Sequence, residues 1–271
     1  MNSNPKITKY DDLPVFQIDN FLQDDLYFNA KKNYPDFSKF SLKNIQTGRK
    51  IIDIVGKRKS IDNQSQKNYN TLNTYFKKIH KVFISPEFNN IVAKNLNFFN
   101  KENGFLLQKE LLFKPNRIHF QINKSTDSYE NPWHVDARFR IFQCIFFFGN
   151  ETIRKGGGLA VAKYKKLENT QYYKYANPDE IEKIFVIKPK DNRLVVIAST
   201  PNSYHKGCKM KGERNFIYIG YNSKGDAWIH NNNWDNSEIK PINSADEHWL
   251  DMKDKQNNKL ETLNIPTKFI H

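Results

Sequence analysis

The chain has 271 residues and a mass of 32.1 kDa, enough for one large domain with a buried core or for two small ones. Hydrophobic residues make up 38 % of it, and no apolar run approaches the roughly eighteen residues that a membrane-spanning helix requires, which argues against an integral membrane protein. The net charge of +14 is typical of nucleic-acid-binding proteins. However, 35 of the 43 basic residues are Lys and the chain also holds 34 Asn, a joint excess that we interpret mainly as a bias towards AT-rich codons.

The first hundred residues have the pattern of a short strand followed by helices. A strand is predicted over 15–18 and a helix over 21–34, and apolar residues at helical spacing continue through 66–103. Ser85 and Pro86 interrupt this last stretch, which predicts two helices. The basic segment 48–61 alternates weakly and is compatible with a hairpin or an ordered loop, and its charges fit a solvated face better than a nucleic-acid contact.

After Gly104 the pattern is that of a β-protein, with short β-branched or aromatic runs separated by Pro, Gly, Asn and Asp. The predicted strands are 109–113, 117–123, 133–136, 141–148, 159–162, 184–187, 194–198 and 215–221. Eight strands after a few helices predict a mainly β, α+β chain, an antiparallel jelly roll with helices on one face. We expect 1–104 to form a helical and strand buttress, 105–222 the β core, and 223–271 a polar extension that packs back onto the core.

The cysteines and the N-terminus indicate the compartment. Cys144 and Cys208 lack the spacing of a thiolate metal site, and two cysteines cannot build a disulfide framework. We therefore expect two reduced thiols in a cytoplasmic protein. The N-terminal residues contain no apolar segment, so we expect no secretory signal.

The most informative motif is the pair His134 and Asp136. Residues two apart on a strand project from the same face, so an imidazole and a carboxylate would lie side by side there. The best candidate for a third ligand is His205, which follows a β run and a turn-rich segment. Two His and one carboxylate on one face of a metal leave open positions opposite, which is the facial triad of non-haem Fe(II) oxygenases.

The residues around these three strengthen the hypothesis. Arg214 comes nine residues after His205 and opens a predicted strand, where its guanidinium could grip a dicarboxylate with two parallel hydrogen bonds. The glycines of the segment 156–159 fit a place where the backbone bends sharply or approaches another group closely. A turn over 189–193 leads into the strand before His205.

Together these motifs resemble the Fe(II)/2-oxoglutarate oxygenases of the prolyl-hydroxylase-like group. The resemblance covers about 105–222 and keeps the order of the HxD pair, the run 143–150, the GGxL step, the distal His and the Arg. It implies a double-stranded β-helix core, Fe(II) held by His134, Asp136 and His205, and Arg214 paired with the distal carboxylate of the co-substrate 2-oxoglutarate. The implied reaction consumes O2 and releases succinate and CO2.

One departure from the group concerns co-substrate binding. A tyrosine that is common in the strand after HxD is replaced here by Phe at position 146 or 147. The missing hydrogen bond must come from elsewhere, and Gln143, or Gln121 on the polar face of the strand 117–123, could provide it.

Four further residues are candidates for contact with substrate. Arg138 and Arg140 follow the HxD pair at alternate positions and could bind an anionic group of the substrate or 2-oxoglutarate, or form a salt bridge on the barrel wall. His119 could line the pocket or be a hydrogen-bonded structural residue. Trp133 could form a wall for the substrate or pack in the core.

The sequence thus predicts an Fe(II)- and 2-oxoglutarate-dependent dioxygenase that hydroxylates an unactivated C–H bond of an amino-acid-like small molecule or a peptide side chain. An oxygenase acting on nucleic acid is the alternative that the +14 charge suggests, although no basic stripe interleaved with aromatic residues supports it. A jelly-roll binding protein without turnover is the alternative from another class. We expect no membrane partner, and the sequence leaves the oligomeric state open.

Overall fold

The computed structural model describes most of the chain up to Asn222. The described residues are 1–2, 5–10, 13–40, 42–46, 48–55, 63–96, 105–107, 117–127, 131–136, 139–149, 153–165, 176–200, 203–222 and 228–230.

An eight-stranded antiparallel sheet forms the centre of the molecule. Its strands, in spatial order, are β1 (Lys6–Tyr10), β2 (Val15–Asp19), β11 (Arg193–Ala198), β7 (Arg140–Phe147), β14 (Arg214–Asn222), β6 (Arg117–Ser125), β4 (Arg49–Val55) and β3 (Leu42–Gln46). Four of the eight come from the first 55 residues, so the N-terminal part extends the sheet as well as buttressing it. The boundaries expected at 104 and 222 stay a prediction.

A smaller sheet lies opposite, with the order β10 (Ile181–Ile187), β9 (Leu159–Tyr164) and β12 (Tyr204–Gly207). An isolated bridge between His134 and His205 adds the segment around His134 to its β12 edge. Following the chain from β6, the path goes to the His134 segment, then β7, β9, β10, β11, β12 and β14, and so it repeatedly crosses between the two sheets. This connectivity is that of a double-stranded β-helix, and the predicted jelly roll is confirmed.

Shorter pairs complete the strands that the structure describes. Strands β8 (Ile153–Gly156) and β13 (Met210–Gly212) pair as a ribbon, and β5 (Phe105–Leu107) pairs with β15 (Trp228–His230). The expected strand 109–113 lies outside the described residues, as does the extension after 222 apart from β15. The expected strand 133–136 is reduced to the bridge at His134, because the chain pairs with β12 at that one position only.

The central strands of the large sheet are buried on both faces, whereas the edge strand β1 is mostly exposed. One face packs against helices through residues such as Phe146, Ile217 and Phe83, all fully buried, and the other faces the small sheet through Phe147 and Val161. Because β7 and β11 are covered on both sides, they are apolar along most of their length rather than alternating.

The helices are α1 (Asp24–Lys32), α2 (Asn63–Thr71), α3 (Thr74–Phe83) and α4 (Pro86–Asn95). Asn73 and Ser85 cap α3 and α4 by accepting hydrogen bonds from the backbone N–H of Phe76 and Phe88, and Pro86 fits the first turn of α4 because it lacks an N–H that would need a partner. The break at Ser85 is therefore confirmed, whereas the single helix expected from 66 to that break is divided at the Asn73 cap into α2 and α3. Of the basic segment 48–61, residues 49–55 form β4, the second strand of a hairpin with β3, and 56–61 lie outside the described residues.

The structure bears on the expectations about membrane-spanning helices and about the two cysteines. No helix among the described residues is long and apolar enough to cross a membrane. Cys144 and Cys208 are free thiols, and Cys144 is fully buried, which raises its pKa well above the ordinary value.

Candidate metal centre

A cavity of about 260 Å³ lies between the two sheets. Its described lining combines arginines, histidines and amides with a few apolar side chains: Arg49, His119, Gln121, Asn131, His134, Asp136, Arg140, Gln143, Ile145, Phe147, Leu159, His205, Gly207, Arg214, Phe216 and Tyr218. The lining residues from β6 and β14 alternate along their strands, since every second residue of a strand faces the same side. On β7 the alternation runs from Gln143 to Phe147, and Arg140 joins the lining at an irregularity in the pairing of β7 with β14.

The three ligands expected from the sequence meet in this cavity. A ligand atom of His134, one of Asp136 and one of His205 all lie within 4.8 Å of one another, the single group of this kind among the described residues. The backbones of His134 and His205 exchange two hydrogen bonds of 3.1 and 2.9 Å, and their ring centroids are 4.4 Å apart. The bridge between these residues, 71 positions apart, thus brings the distal His beside the HxD pair.

Both imidazoles are held in the tautomer that suits a metal ligand. His134 Nδ1 lies 2.9 Å from the carbonyl oxygen of Pro132, and His205 Nδ1 lies 3.0 Å from that of Ser203. A carbonyl oxygen can only accept, so each Nδ1 carries the proton and donates it. Each Nε2 then keeps its lone pair for a metal, the arrangement that metal-binding His residues commonly have.

The carboxylate of Asp136 is oriented by two residues of the large sheet. The hydroxyl of Tyr218 donates to Asp136 Oδ2 at 3.3 Å, and Nε of Arg140 lies 3.5 Å from the same oxygen. Burial acts to raise the pKa of Asp136, but the charge of Arg140, the two neighbouring imidazoles and the Tyr218 hydrogen bond outweigh it, so the pKa lies below its ordinary value. Asp136 is therefore ionised, as a metal ligand must be. Two imidazole nitrogens and one carboxylate fit Fe(II).

Arg214 lies at one end of the cavity, in a fixed position. Its Nη1 donates to the carbonyl oxygen of Gly157 at 2.6 Å, and its guanidinium lies 5.0 Å from the centre of the Phe216 ring. The close approach predicted for the glycines of 156–159 is thus the contact of the Gly157 carbonyl with the Arg214 guanidinium. Arg49 stacks on the same ring at 5.4 Å and donates to Asn123 Oδ1 through Nε and Nη2, at 2.9 and 2.8 Å.

The structure brings the two candidate amides into the cavity in different environments. Nε2 of Gln143 lies 2.8 Å from Nε2 of His205, so this amide is directly beside the ligand atoms. Gln121 contacts Nε2 of His119 at 3.1 Å, and the same nitrogen of His119 lies 2.8 Å from a carboxylate oxygen of buried Asp53. Gln143 is therefore the better placed of the two to reach a ligand at the metal.

The residues considered as substrate contacts are distributed differently. Arg140 and His119 line the cavity. Trp133 instead packs with Ala160, Ala162 and Tyr204 in a core cluster of the small sheet, which agrees with the packing alternative. Arg138 lies outside the described residues. Of the two phenylalanines at the position of the family tyrosine, Phe147 faces the cavity and Phe146 faces the helices.

Sequence reasoning missed Tyr218 and Arg49 as cavity residues. Tyr218 lies in the strand that begins with Arg214. The alternation of residues 214, 216 and 218 along this strand could have indicated that Tyr218 faces the same side as Arg214. Arg49 belongs to a segment whose pairing was open, and only its register with β6, where Arg49 lies opposite Ser125, brings it to the cavity.

Comparison with known proteins finds similarity in structure only. No protein-family model matches the chain, and no curated protein matches its sequence. A prolyl-4-hydroxylase of Pseudomonas putida is similar with 11 % identity and a TM-score of 0.48 over 77 % of this chain and 92 % of that one. A prolyl hydroxylase of Trichoplax adhaerens, solved with a peptide of hypoxia inducible factor, has 14 % identity and a TM-score of 0.45 over 78 % and 84 %.

Prolyl 4-hydroxylases of Phytophthora capsici are similar as well, with 12 % identity and a TM-score of 0.46 over 91 % of this chain and 70 % of that one. Identities of 11–14 % do not transfer a substrate or the role of any residue to this chain. What the chain does has to follow from its own cavity.

Proposed function

We propose that this chain is an Fe(II)- and 2-oxoglutarate-dependent dioxygenase that hydroxylates a C–H bond of an amino-acid-like small molecule or a peptide side chain. The observation that supports it most is the group His134, Asp136 and His205, in which both imidazoles present Nε2 and an ionised carboxylate completes the set. These ligands open onto a cavity that ends at a buried arginine, as a dicarboxylate co-substrate needs.

The overall reaction is substrate–H + 2-oxoglutarate + O2 → substrate–OH + succinate + CO2, in which oxidation and decarboxylation of the 2-oxo acid accompany the oxidation of the substrate. Bound Fe(II) supplies the redox chemistry that activates O2. The protein supplies the remaining requirements, which are the positions of the ligands, of the co-substrate and of the substrate.

The ligand side chains are held before any metal arrives. Pro132 and Ser203 fix the two imidazole rings through backbone carbonyls, and Tyr218 and Arg140 fix the carboxylate of Asp136. Because these partners restrict the rotation of the ligands, less conformational entropy is lost when a metal binds.

Arg214 is proposed to bind the distal carboxylate of 2-oxoglutarate. Its guanidinium is buried and anchored to the carbonyl of Gly157 through Nη1, which orients the planar group. A planar guanidinium can offer a carboxylate two parallel hydrogen bonds. Arg49 on the same Phe216 ring adds positive potential at this end.

Gln143 is proposed to supply a co-substrate hydrogen bond in place of the tyrosine that is common in the family. In the structure its amide nitrogen donates to the lone pair of His205 Nε2, the atom that a metal would take. Once a metal binds there, the amide must find another acceptor, and the co-substrate chelated beside it offers oxygens.

The test of the proposed function uses the full chain under anaerobic conditions. Wild type with Fe(II) and 2-oxoglutarate should show the weak visible charge-transfer band of the chelate, and His134→Ala should lose it. Lys206→Met is the matched control, since Lys206 follows His205 but directs its ammonium over the Trp133 ring at 5.1 Å, and it should keep the band. A wild-type protein that neither binds 2-oxoglutarate nor shows the band contradicts the proposal.

Screening for succinate release then separates the substrate classes. Amino acids, peptides and oligonucleotides are each incubated with the enzyme, 2-oxoglutarate and O2. Succinate formed in step with a modified amino acid or peptide supports the proposal, whereas stimulation by oligonucleotides alone with oxidised bases as product would favour the nucleic-acid alternative.

A further inference from the structure

The described lining of the cavity carries more positive charge than the proposed co-substrate neutralises. Among its described lining residues are three arginines, at 49, 140 and 214, and one carboxylate, Asp136. 2-Oxoglutarate brings two negative charges and Fe(II) brings two positive ones. Their sum is zero, so the described lining retains a net charge of +2 when metal and co-substrate are both in place.

The arginines lie at two separate ends of the cavity. Arg214 and Arg49 both stack on the ring of Phe216. The guanidinium of Arg140 lies against Gly220 instead. Since Phe216 and Gly220 are four residues apart on β14, the two places are separated by about 13 Å along the strand. A five-carbon diacid whose distal carboxylate binds Arg214 and whose 2-oxo acid end binds the metal has no further carboxylate to offer Arg140.

Of the arginines that the structure describes, Arg140 is the one that contacts a metal ligand. Its Nε lies 3.5 Å from Asp136 Oδ2, and its guanidinium carbon lies 5.5 Å from the centre of the Tyr218 ring. A metal ion bound by Asp136 would partly neutralise the negative charge of this carboxylate. The metal, Asp136 and the 2-oxo acid carboxylate together would be neutral, so the carboxylate that Arg140 contacts would then be shared with the metal.

Gly220 provides the space that Arg140 occupies. A Cβ atom built on Gly220 would overlap the guanidinium of Arg140, so any other residue here would displace that group. Gly220 is buried in the middle of β14, where glycine weakens a strand. The close approach of the guanidinium is a physical reason for glycine at this position.

We infer that the primary substrate carries a carboxylate, and that Arg140 binds this carboxylate on the side of the metal centre away from Arg214. The inference rests on the proposed function and narrows it, because it favours a free amino acid or a similar small acid over a neutral peptide side chain. The recognition is a charge-assisted hydrogen bond from a planar guanidinium that is itself buried.

The experiment measures binding rather than turnover. Anaerobic wild-type enzyme with Fe(II) and 2-oxoglutarate is titrated with the common L-amino acids, with their N-acetyl derivatives and with the corresponding amides, and the shift of the visible band reports binding. At least one free acid should bind, and about 10- to 100-fold more tightly than its amide.

Three variants assign this preference to a residue. Arg140→Met should reduce the ratio of acid to amide affinity to about one, and so should Gly220→Ala, which keeps Arg140 but displaces its guanidinium. Arg49→Met is the matched control at the other end of the cavity, and it should weaken 2-oxoglutarate binding while the preference for the acid persists. Thermal melting of each variant verifies that it is folded.

The outcomes distinguish this inference from the proposed function. If the wild type forms no band, the proposed function fails and the inference falls with it. If the band forms but acids bind no better than amides, or neither binds, only the inference is overturned. If Arg140→Met loses 2-oxoglutarate rather than the preference for the acid, Arg140 belongs to the co-substrate site and the inference is wrong.

Discussion

The amide nitrogen of Gln143 lies 2.8 Å from Nε2 of His205, the nitrogen that the proposed metal would occupy. The proton of His205 is on Nδ1, where it is donated to the carbonyl oxygen of Ser203. Gln143 therefore satisfies the lone pair of His205 when no metal is bound. Metal binding has to break this hydrogen bond, so the contact between Gln143 and His205 lowers the affinity of the site for the metal.

Removing that hydrogen bond should strengthen metal binding. A net hydrogen bond is worth about 0.5 to 1.5 kcal/mol, so Gln143→Leu should bind Fe(II) about 2- to 10-fold more tightly in the absence of co-substrate. Anaerobic calorimetry, or Mn(II) titration followed by electron paramagnetic resonance, measures this change. The same variant should bind 2-oxoglutarate more weakly, and unchanged or weaker metal binding would contradict the competition described above.

Tyr218 should affect metal binding without touching the metal. Tyr218→Phe removes the 3.3 Å hydrogen bond to Asp136, and the loss of such a supporting partner typically weakens metal affinity about 10-fold or more. Tyr221→Phe is the matched control on the same strand, because the hydroxyl of Tyr221 donates to the backbone carbonyl of Phe83. This control should lower the free energy of unfolding by about 1 kcal/mol and leave metal affinity unchanged. Equal metal affinity in both variants would refute the role assigned to Tyr218.

Arg214 should determine the choice between a dicarboxylate and a monocarboxylate 2-oxo acid. Arg214→Met should lower the affinity for 2-oxoglutarate about 100-fold, and Arg214→Lys less, because lysine keeps the charge but not the paired donors. 2-Oxobutyrate, which lacks the distal carboxylate, is the control ligand, and its affinity should change little in either variant. If the affinities for both acids fall equally, Arg214 supports the fold of the site through Gly157 rather than binding the carboxylate.

His80 should make folding sensitive to mild acid. It is buried in the helical layer between the rings of Tyr69 and Phe120, and burial lowers its pKa to about 4. The unfolded chain binds this proton near pH 6.5 and the folded chain does not, so stability falls as the pH drops from about 6.5 towards 4. At pH 5 this one group should cost about 2 kcal/mol relative to neutral pH.

His80→Phe isolates the contribution of this histidine. Denaturant unfolding at pH 7.5 and at pH 5 gives the free energy of unfolding of both proteins. The variant should lose about 2 kcal/mol less than the wild type between the two pH values, although other groups titrate in both. Equal losses would show that His80 is not the acid-sensitive group.

Local pattern was sufficient for several features of the chain. The HxD spacing predicted that His134 and Asp136 point to the same side, and both line the cavity although only His134 forms a β-bridge. Ser85 and Pro86 ended one helix and began the next because a cap and an N-terminal proline act within one turn. The density of short apolar runs after Gly104 indicated a β-sandwich core. Each of these follows from residues close together in the chain.

Partners distant in the sequence were beyond such reasoning. Asp136 and Tyr218 are 82 residues apart, and Arg49 and Asn123 are 74 apart. A period of two tells which face a side chain takes but not which strand lies beside it, and a strand displaced by one residue reverses both faces. The hydrogen bond from Tyr218 to Asp136 therefore could not be predicted before the register of β14 with β6 and β7 was known.

The sequence by itself determined the jelly-roll class, the HxD pair with its distal His as candidate ligands, and Arg214 as the candidate anion-binding group. Only the tertiary structure decided that His134 and His205 share a bridge, that both present Nε2, and that Arg140 lies over Gly220 at the end of the cavity away from Arg214. The physical reason is that ligand identity is a property of side-chain chemistry, which is written in the residue types. Tautomer, charge balance and the space around a guanidinium depend on which backbone carbonyls and strands come into contact when the two sheets close.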